Sequence, residues 1–580
     1  RAKVGIERAR GYTKPTVSYR HSPGFAAALA AQTGTTRVLD TCFQNTGWSL
    51  TLQDMKTQLD TLGAQGTNFF VPHGFYYTLD GLRKHATPPS QFHQNPYWKH
   101  FRLLSDYAGR LSHVLSRGQQ AVDMALLDPV TSLWSHLSHP LHDWSYVGYD
   151  SEEETLANHL VEDWAYITDA LHQMQRPVHS IDPTILSRAR VVDGQLQVGK
   201  MRYKVLVIPP ITNLEREAFD MLRKFVNAGG QIIALGLLPI EDIQEGASVI
   251  EGFSRLTDMD PSRMIRDYTG HELGVHLLRR TNFIFIRTGG TIAKNQAAYM
   301  LERLLDEMLP RQIHIISNDK NAEAIRYHHR TNGKHQIFFF TNTSTSPVST
   351  QIQLPVSNSQ IEQWDLETGE RRPLSGEDAE NQCTVPLSFD RLQSHLIVTK
   401  TEKSAPPKEI IPEPADLDLK GAWKIDPEED NALRLDQFKM QVDPTNRGVR
   451  QGWHRPAYID KKWPEASPQP FDEQPEKIVC WYRVTFAADI VPTKLALVMD
   501  RNAIQGEYQV YINGSKLPSN AFRPTFRYDH ANVTCSVGRR VTKGRNVIAI
   551  RVEIDKPGDG LVDAIYLFGR FQVKSWRNLY

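Results

Sequence analysis

The chain has 580 residues, and its 67 Lys or Arg residues against 66 Asp or Glu residues give a formal net charge of +1. This balance excludes the strongly basic surface with which nucleic-acid and anionic-membrane binders attract their partners, and it favours a neutral partner. A chain of this length is too long for one hydrophobic core and predicts about three to five domains.

Residues 1–117 alternate helical and strand-like segments. The pattern predicts three helices and two strands, namely helices 25–32, 51–62 and 101–115 and strands 37–43 and 67–72. Such repeats are typical of a (β/α)8 barrel, which takes about 250 residues, so we interpret this segment as the C-terminal part of a catalytic barrel. The two strands should be adjacent and parallel, because a crossover through one short helix usually joins neighbours.

Residues 118–322 predict a flavodoxin-like, doubly wound α/β domain with an insertion. Apolar strands in AVDMALLDP, PVHSID, YKVLVIPPI and QIIALG alternate with helices, as in a sheet covered on both faces. No glycine-rich phosphate-binding motif follows these strands, and RTGGTIAK at 287–294 fails the spacings of both common motifs. A structural domain is therefore favoured over a nucleotide-binding one.

The remaining chain predicts two all-β domains joined by a linker. Short alternating runs at 323–400 indicate a β-sandwich, and the Pro- and charge-rich segment 401–414 indicates an extended linker. Residues 415–580 predict an all-β fold, and their strands resemble the jelly-roll, galactose-binding-like sandwich. We expect this sandwich to fold independently, with Trp423 and Trp453 packing its first segment onto it. The fold class is thus multidomain α/β plus β.

Polar and aromatic residues follow both strands of the first segment. One strand, RVLDTCF, carries a carboxylate, and the other, NFFVP, runs directly into HGFYY and the long loop GLRKHATPPSQFHQNPYWKHF. Because ligands sit at the carboxyl ends of parallel strands, these groups predict a sugar-processing site. Arg83 and Lys84 in the loop could hold it or reach substrate, although a solvated surface is favoured.

The stretch 37–98 resembles the bacterial α-L-rhamnosidases of glycoside hydrolase family 106. Their pattern reads roughly VL-x-E-x-F, GW-x-LT, GVNFFVPHGFYYS and PPSQFYQNPYW, and this chain has VLDTCF, GWSLT, NFFVPHGFYY and PPSQFHQNPYW. The resemblance implies an inverting glycoside hydrolase with two carboxylates, acting on rhamnose-containing plant polysaccharides or glycosides. It also implies a Ca²⁺ ion at the barrel face, with ligands in this chain unknown.

The family glutamate falls on Thr41 here, and the nearest carboxylate is Asp40, one residue earlier. Threonine cannot act as a general base near neutral pH, so Asp40 is the candidate catalytic residue. Successive strand residues point to opposite faces, so Asp40 could replace the glutamate only if the strand bulges or has ended. A structural role for Asp40 stays open, and we expect the general acid upstream of Arg1.

Six residues are candidates for substrate binding. By resemblance, His73 would donate a hydrogen bond to a sugar hydroxyl and Tyr76 or Tyr77 would offer an aromatic face, the alternative being a buried core histidine. Trp48 could stack on substrate or plug the barrel rim. Asn95 and Trp98 could form a subsite or equally a packing staple at a helix entry.

Other polar residues and the cysteines predict no metal site. His328, His329 and His335 lack metal-ligand spacing and suit a solvated or interdomain strand. The four cysteines form no CxxC pair, although Cys480 and Cys535 could pair across a sandwich.

Two functions of different class follow. The first is a rhamnosidase-like enzyme with a carbohydrate substrate; the second is a catalytically degenerate relative or carbohydrate-binding scaffold, favoured by Thr41. No apolar run approaches the roughly 18–20 residues of a membrane helix, and no signal peptide is visible. We expect the native N-terminus upstream of Arg1, so a secreted, periplasmic or cytoplasmic location and the oligomeric state stay open.

Overall fold

The computed structural model describes residues 23–573 except for 137–150, 247, 259–264, 266–267, 270–274, 289, 334, 357–359, 380–381, 401–429, 472–476, 493 and 529. The described residues fall into two compact units. The first unit belongs to Arg1–Gly74 and Gln91–Ile410, and the second to Phe75–Ser90 and Ile411–Tyr580. The predicted linker 401–414 and Trp423 lie outside the described residues.

The first part of the first unit contains one parallel strand pair and three helices. These elements are α1 (Pro23–Thr33), β1 (Leu39–Cys42), α2 (Leu52–Ala64), β2 (Phe69–Pro72), α3 (Phe101–Leu115) and the short β3 (Gln119–Gln120). Strands β1 and β2 are parallel, in a register that runs from Leu39 opposite Phe69 to Cys42 opposite Pro72. The predicted parallel pairing is confirmed, but within the described residues this sheet has two strands, so the barrel stays a prediction.

Helix α2 begins where its sequence provides a capping box. The Thr51 hydroxyl accepts a hydrogen bond of 3.1 Å from the Asp54 backbone N–H, and the Asp54 carboxylate accepts one of 2.9 Å from the Thr51 N–H. This reciprocal pair satisfies N–H groups that the first helical turn leaves unbonded. Helices α2 and α3 bury Met55, Leu59 and Leu111 in a core that they share with the sandwich described below.

A six-stranded sheet forms the α/β layer. In chain order, this part of the first unit contains β4 (Met124–Leu127), α4 (Val130–His136), α5 (Ser151–Gln173), β5 (His179–Ile181), α6 (Pro183–Ser187), β6 (Arg190–Val192), β7 (Gln195–Val198), β8 (Met201–Tyr203), β9 (Val205–Ile208), α7 (Arg216–Asn227), β10 (Gln231–Leu235), α8 (Val249–Thr257), β11 (His276–Arg280), β12 (Phe283–Arg287) and α9 (Gly290–Met308). Strands β6, β7 and β8 form a separate three-stranded sheet. The order of the six-stranded sheet is β11-β12-β10-β9-β4-β5, and every pair except β11 with β12 is parallel. Strands β4 and β9 are fully buried, which explains their unbroken apolar runs.

Two antiparallel sheets form a β-sandwich in the same unit. The strands are β13 (His314–Ile316), β14 (Ile325–Asn332), β15 (His335–Asn342), β16 (Val348–Leu354), β17 (Gln360–Trp364), β18 (Arg371–Pro373), β19 (Glu377–Ala379), β20 (Gln382–Phe389) and β21 (Ser394–Lys400). One sheet has the order β13-β16-β20-β19 and the other β18-β17-β21-β15-β14-β3. Side chains from both sheets, such as Phe338 and Val385, share one core. The outer face of the larger sheet contributes Phe339 and Leu396 to the core of α2 and α3.

The second unit is all-β apart from short 3-10 turns in its described residues. Its strands are β22 (Asn431–Leu435), β23 (Phe438–Val442), β24 (Glu465–Ala466), β25 (Ile478–Ala488), β26 (Leu495–Asp500), β27 (Ile504–Gln505), β28 (Tyr508–Ile512), β29 (Ser515–Lys516), β30 (Arg523–Pro524), β31 (Asn532–Ser536), β32 (Gly544–Ile554), β33 (Gly560–Leu561) and β34 (Ile565–Gly569). The main sheets have the orders β22-β34-β26-β31-β30 and β24-β23-β25-β32-β28-β29. Their facing side chains form the core.

Trp453 packs against Trp463 and Trp481, with ring centroids 5.0 and 6.2 Å apart, over the outer face of β25. The predicted packing of this segment onto the sandwich is therefore confirmed for Trp453. Arg483 of β25 is buried beneath these rings, where its Nε donates a 2.8 Å hydrogen bond to Asp460.

Three expectations need correction. Cys480 and Cys535 are free thiols, both buried, so they do not form a disulfide. For His328 and His329 the solvated alternative is wrong, because both side chains are buried, and burial lowers the pKa of His329 to about 4. The side chain of Lys84 is only 12% exposed, because it forms an ion pair with Asp500. Among the helices that the structure describes, none is long and apolar enough to cross a membrane.

Candidate functional site

The two faces of the β1–β2 sheet differ in chemistry. Thr41 lies opposite Val71, and on their face Leu39 and Phe69 are 56% and 46% exposed. Asp40 lies opposite Phe70 on the other face, which it shares with the buried Cys42. The pairing is regular through Cys42, without a bulge, so Asp40 and Thr41 leave the strand in opposite directions.

Asp40 occupies a half-buried position. Desolvation raises the pKa of its carboxyl group above the ordinary value, and a hydrogen bond from the Thr41 backbone opposes this only in part. The negative charge of Asp40 in turn contributes, after burial itself, to raising the pKa of the Cys42 thiol to about 12. A raised carboxyl pKa is typical of groups that exchange protons during catalysis, although buried structural acids show it too.

His73 lies where β2 ends. Its backbone N–H donates a 2.9 Å hydrogen bond to the carbonyl of Cys42, which ties the carboxyl ends of the two strands together. The peptide bond between His73 and Gly74 is cis. The imidazole is partly buried, so His73 lies at the rim of the strand pair, where the sequence predicts a sugar-binding group.

Trp48 lies on the loop between β1 and α2. Three residues along this loop, Phe43, Asn45 and Gly47, have positive φ angles, and the Thr46 hydroxyl donates a 2.7 Å hydrogen bond to the Phe43 carbonyl. The backbone N–H of Phe43 donates a further bond of 3.1 Å to the Gln58 side chain. The indole of Trp48 is exposed on this loop. This exposure favours stacking on a substrate over packing at the barrel rim.

Asn95 and Trp98 form the entry to α3. The Asn95 side chain is buried and accepts a 2.9 Å hydrogen bond from the Tyr97 N–H, and its carbonyl accepts one of 3.0 Å from Trp98. Trp98 packs edge-on against Phe92 at 5.2 Å and stacks on Phe101 at 6.3 Å. These contacts support the packing alternative for both residues, because the oxygens of Asn95 accept hydrogen bonds within the turn.

Tyr76 and Tyr77 belong to the second unit. The Tyr76 hydroxyl donates to the carbonyl of Ala86 at 2.9 Å and lies 2.6 Å from the Thr87 hydroxyl, so it closes the loop on itself. Tyr77 is 92% exposed and so presents an aromatic ring to solvent. Of these two tyrosines, Tyr77 is the better candidate for an aromatic sugar contact.

A cavity of about 260 Å³ lies between β2 and α3 in the first unit. Apart from the hydroxyls of Ser105 and Ser112, its walls are formed by apolar side chains and glycine, including Phe43, Phe70, Pro72, Phe101 and Leu104. Sugar pockets need several convergent polar groups, so this cavity does not suit a sugar ring.

No group of three or more His, Cys, Asp or Glu side chains converges on a possible metal position in the parts of the chain that the structure describes. The Ca²⁺ ion implied by resemblance stays a prediction, and no chemical step is assigned to it.

Sequence reasoning missed the residues that hold these segments in place. Asp60, Lys56 and Tyr107 form a buried network with Ser394 that joins α2, α3 and β21, and Asp500 and Asp563 bind the loop that carries Tyr77. No local pattern marks these residues, since each partner is distant in sequence or ordinary in type.

Comparison with known proteins identifies two matching family models. Residues 181–377 match the model of the alpha-L-rhamnosidase family, glycoside hydrolase family 106, and residues 449–556 match that of the beta-galactosidase second all-beta domain. Comparison with curated proteins gives no match.

Solved structures give distant similarities. A rhamnosidase from Novosphingobium sp. PP1Y is 18% identical with a TM-score of 0.45, covering 93% of this chain and 48% of its own. A catalytic mutant of a GH42 beta-galactosidase from G. stearothermophilus is 11% identical with a TM-score of 0.40, covering 60% and 51%. Alpha-L-fucosidase isoenzyme 2 from Paenibacillus thiaminolyticus is 12% identical with a TM-score of 0.39, covering 67% and 64%.

This chain spans about half the length of the Novosphingobium rhamnosidase. The matched family segment, 181–377, is separate from the stretch 37–98 whose motifs first suggested the family. The two observations are independent, and together they confirm the resemblance of this chain to the α-L-rhamnosidases of glycoside hydrolase family 106.

Proposed function

We propose that this chain forms part of a glycoside hydrolase that hydrolyses rhamnose-containing plant polysaccharides or glycosides. The observation that carries the proposal is the parallel pair β1–β2, whose carboxyl ends are joined by the bond from His73 to Cys42 and carry the family-like motifs. The match of 181–377 to the alpha-L-rhamnosidase model supports the same reaction class.

Hydrolysis with inversion needs one carboxylic acid to protonate the leaving oxygen and one carboxylate to activate water. Asp40 is the candidate for one of these groups in this chain. Its half-buried position and raised carboxyl pKa support a role in proton transfer. No residue of this chain is assigned as the second group.

Substrate contacts are assigned by position and chemistry. In the first unit, His73 would donate a hydrogen bond to a sugar hydroxyl and the exposed ring of Trp48 would offer an apolar face to sugar C–H groups. In the second unit, the exposed ring of Tyr77 would offer such a face. Asn95 and Trp98 would act indirectly, by fixing the entry of α3, because their contacts are made inside that turn.

A carbohydrate-binding relative without catalysis is the second candidate function. One observation favours it: the exposed face, where the family glutamate would project, carries Thr41, and Asp40 lies on the opposite face. Under this alternative His73 still binds sugar, but no group activates water.

The test is an assay of the protein on three substrates. Release of chromophore from an aryl α-L-rhamnoside is compared with release from an aryl α-L-fucoside and an aryl β-galactoside, and rhamnose binding is measured by calorimetry. We expect rhamnoside hydrolysis to exceed the other two. Rhamnose binding without hydrolysis would favour the scaffold, and absence of both would reject a rhamnose site altogether.

A further inference from the structure

The loop segment Phe75–Ser90 is held in the second unit by one lysine–carboxylate ion pair and one histidine–carboxylate contact. Lys84 Nζ binds the carboxylate of Asp500, and His85 Nε2 lies 2.8 Å from Oδ2 of Asp563. The side chains of Asp500 and Asp563 are 2% and 3% exposed, so both carboxylates are buried. The backbone N–H of His530 also donates a 3.3 Å hydrogen bond to Asp80 of the segment.

Each buried carboxylate divides its oxygens between the sandwich and the loop segment. Oδ1 of Asp500 accepts a 2.9 Å hydrogen bond from Asn532, and Oδ1 of Asp563 accepts one of 2.6 Å from the Ala564 N–H. In both residues Oδ2 binds the loop segment. Since a buried carboxylate oxygen without a partner is costly, the sandwich requires Lys84 and His85 of the loop segment as much as the segment requires the sandwich.

The charge state of Asp563 fits this arrangement. Burial alone would raise the pKa of its carboxyl group, but the hydrogen bond and positive charge of His85, with the Ala564 N–H and Lys84, lower it below the ordinary value. The ring of Tyr528 adds a contact, since Lys84 Nζ lies 5.0 Å from its centroid. The loop segment is therefore attached through charge and not through apolar packing alone.

The attachment reaches Tyr77 through bonds inside the loop segment. The Tyr76 hydroxyl binds the carbonyls of Ala86 and Thr87, next to His85, and the Tyr76 N–H donates a 3.2 Å bond to the Ser90 hydroxyl. These bonds join the backbone at Tyr76 to the backbone at Ala86 and Thr87 and to Ser90. The ring of the neighbouring Tyr77 is 92% exposed. A rigid backbone that presents an exposed aromatic ring is what stacking on a sugar requires.

We propose that Asp500 and Asp563 of the C-terminal sandwich are positioning residues for sugar binding, because they fix the loop segment that presents Tyr77. The part of this proposal that concerns sugar rests on the proposed function. The part that concerns the position of the loop segment does not.

The experiment uses the full-length protein with Asp500→Asn and Asp563→Asn, and Asp555→Asn at an exposed position of the same unit as the matched control. Hydrogen exchange measured by mass spectrometry follows the amides of 75–90. We expect exchange there to accelerate roughly tenfold or more in both variants, with the strands of the sandwich unchanged and the control like wild type. Asp563→Glu, which keeps the charge, should restore part of the protection.

The second readout is hydrolysis of an aryl α-L-rhamnoside. Both variants should raise KM by roughly tenfold with a smaller change in kcat, since Tyr77 would contribute binding and no proton transfer. Unchanged exchange at 75–90 would overturn the proposal, and so would faster exchange with unchanged KM in an active enzyme. If wild type is inactive but exchange responds as expected, the positioning of the segment stands and the proposed function fails.

Discussion

Asp40 and Thr41 are neighbours in β1 whose side chains project from opposite faces of the strand pair, since Asp40 lies opposite Phe70 and Thr41 opposite Val71. A carboxylate at position 41 would project beside the exposed Val71, and the one at position 40 lies on the same face as the buried Cys42. A shift of one residue therefore moves the carboxylate between two environments.

Asp40→Asn should stabilise the protein at neutral pH. Burial raises the pKa of the Asp40 carboxyl group in the folded state, so above the ordinary aspartate pKa of about 3.9 ionisation favours the unfolded chain. The variant should have a higher Tm than wild type at pH 7, and the difference should vanish near pH 3, where both states are protonated. The exposed Asp106→Asn serves as control. A lower Tm at pH 7 would show that Asp40 is a stabilising structural residue instead.

The buried network that joins α2, α3 and β21 should be a main source of stability. Asp60 is fully buried and binds Lys56 Nζ at 2.9 Å, while Lys56 Nζ and the Tyr107 hydroxyl contact Ser394 at 3.1 and 2.9 Å. Burial raises the pKa of Asp60, and the charge of Lys56 partly offsets this. Removing Lys56 leaves a buried acid without its cation.

Lys56→Met should therefore lower the free energy of unfolding by about 3–5 kcal/mol. Tyr107→Phe should lower it by about 1–3 kcal/mol, because it deletes a hydroxyl that binds both Asp60 and Ser394. Urea unfolding measures both values, and the exposed Lys99→Met should change stability by less than about 0.5 kcal/mol. Equal effects of Lys56→Met and Lys99→Met would contradict the importance of the network.

Lowering the pH should destabilise the first unit already at pH values well above those at which carboxylates titrate. His179 is buried between Tyr203 and Gln120, at 3.0 and 2.6 Å, and burial together with the charge of Arg330 lowers its pKa to about 3. Below pH about 6.5 the unfolded chain binds a proton at this histidine while the folded chain does not, so stability falls as pH falls towards 3. One such group changes the free energy of unfolding by about 1.4 kcal/mol per pH unit.

His179→Gln should reduce the number of protons taken up on unfolding by close to one, and so reduce the slope of stability against pH. His113→Gln, at an exposed position, should leave this slope as in wild type. Denaturant titrations at half-unit intervals from pH 7 to 4 give the slopes. Identical slopes in wild type and His179→Gln would mean that His179 is protonated in the folded state.

Local patterns predicted most elements of the fold. Helix α3 occupies Phe101–Leu115, the predicted range, because its apolar residues recur at helical spacing and form a buried stripe. The expected strands β4, β9 and β10 are present because uninterrupted apolar runs are typical of buried parallel strands. Strand β20 was not predicted. It contains Pro386, and a proline within a run argues against a strand because it cannot donate a backbone hydrogen bond.

Long-range pairing lay beyond what the sequence patterns could predict. The loop segment Phe75–Ser90 joins the second unit through Asp500, at the end of β26, and Asp563, between β33 and β34. Nothing in the local sequence distinguishes these aspartates, because their partners Lys84 and His85 are distant in sequence. The independent sandwich expected at 415–580 is thus accompanied by this segment. Among the candidate site residues, alternation of strand faces could separate Asp40 from Thr41, but only once the regular pairing of β1 was known.

The rate at which full-length protein releases chromophore from an aryl α-L-rhamnoside, in wild type, Asp40→Asn and Thr41→Glu, tests the central claim most directly. We predict that wild type is active and that Asp40→Asn lowers kcat by about 10²–10⁴-fold, the usual contribution of a general base, with the folded fraction unchanged. Thr41→Glu should bring no gain. Normal activity in Asp40→Asn would contradict the site assignment, and an inert wild type with an active Thr41→Glu would show that the natural protein is a degenerate relative.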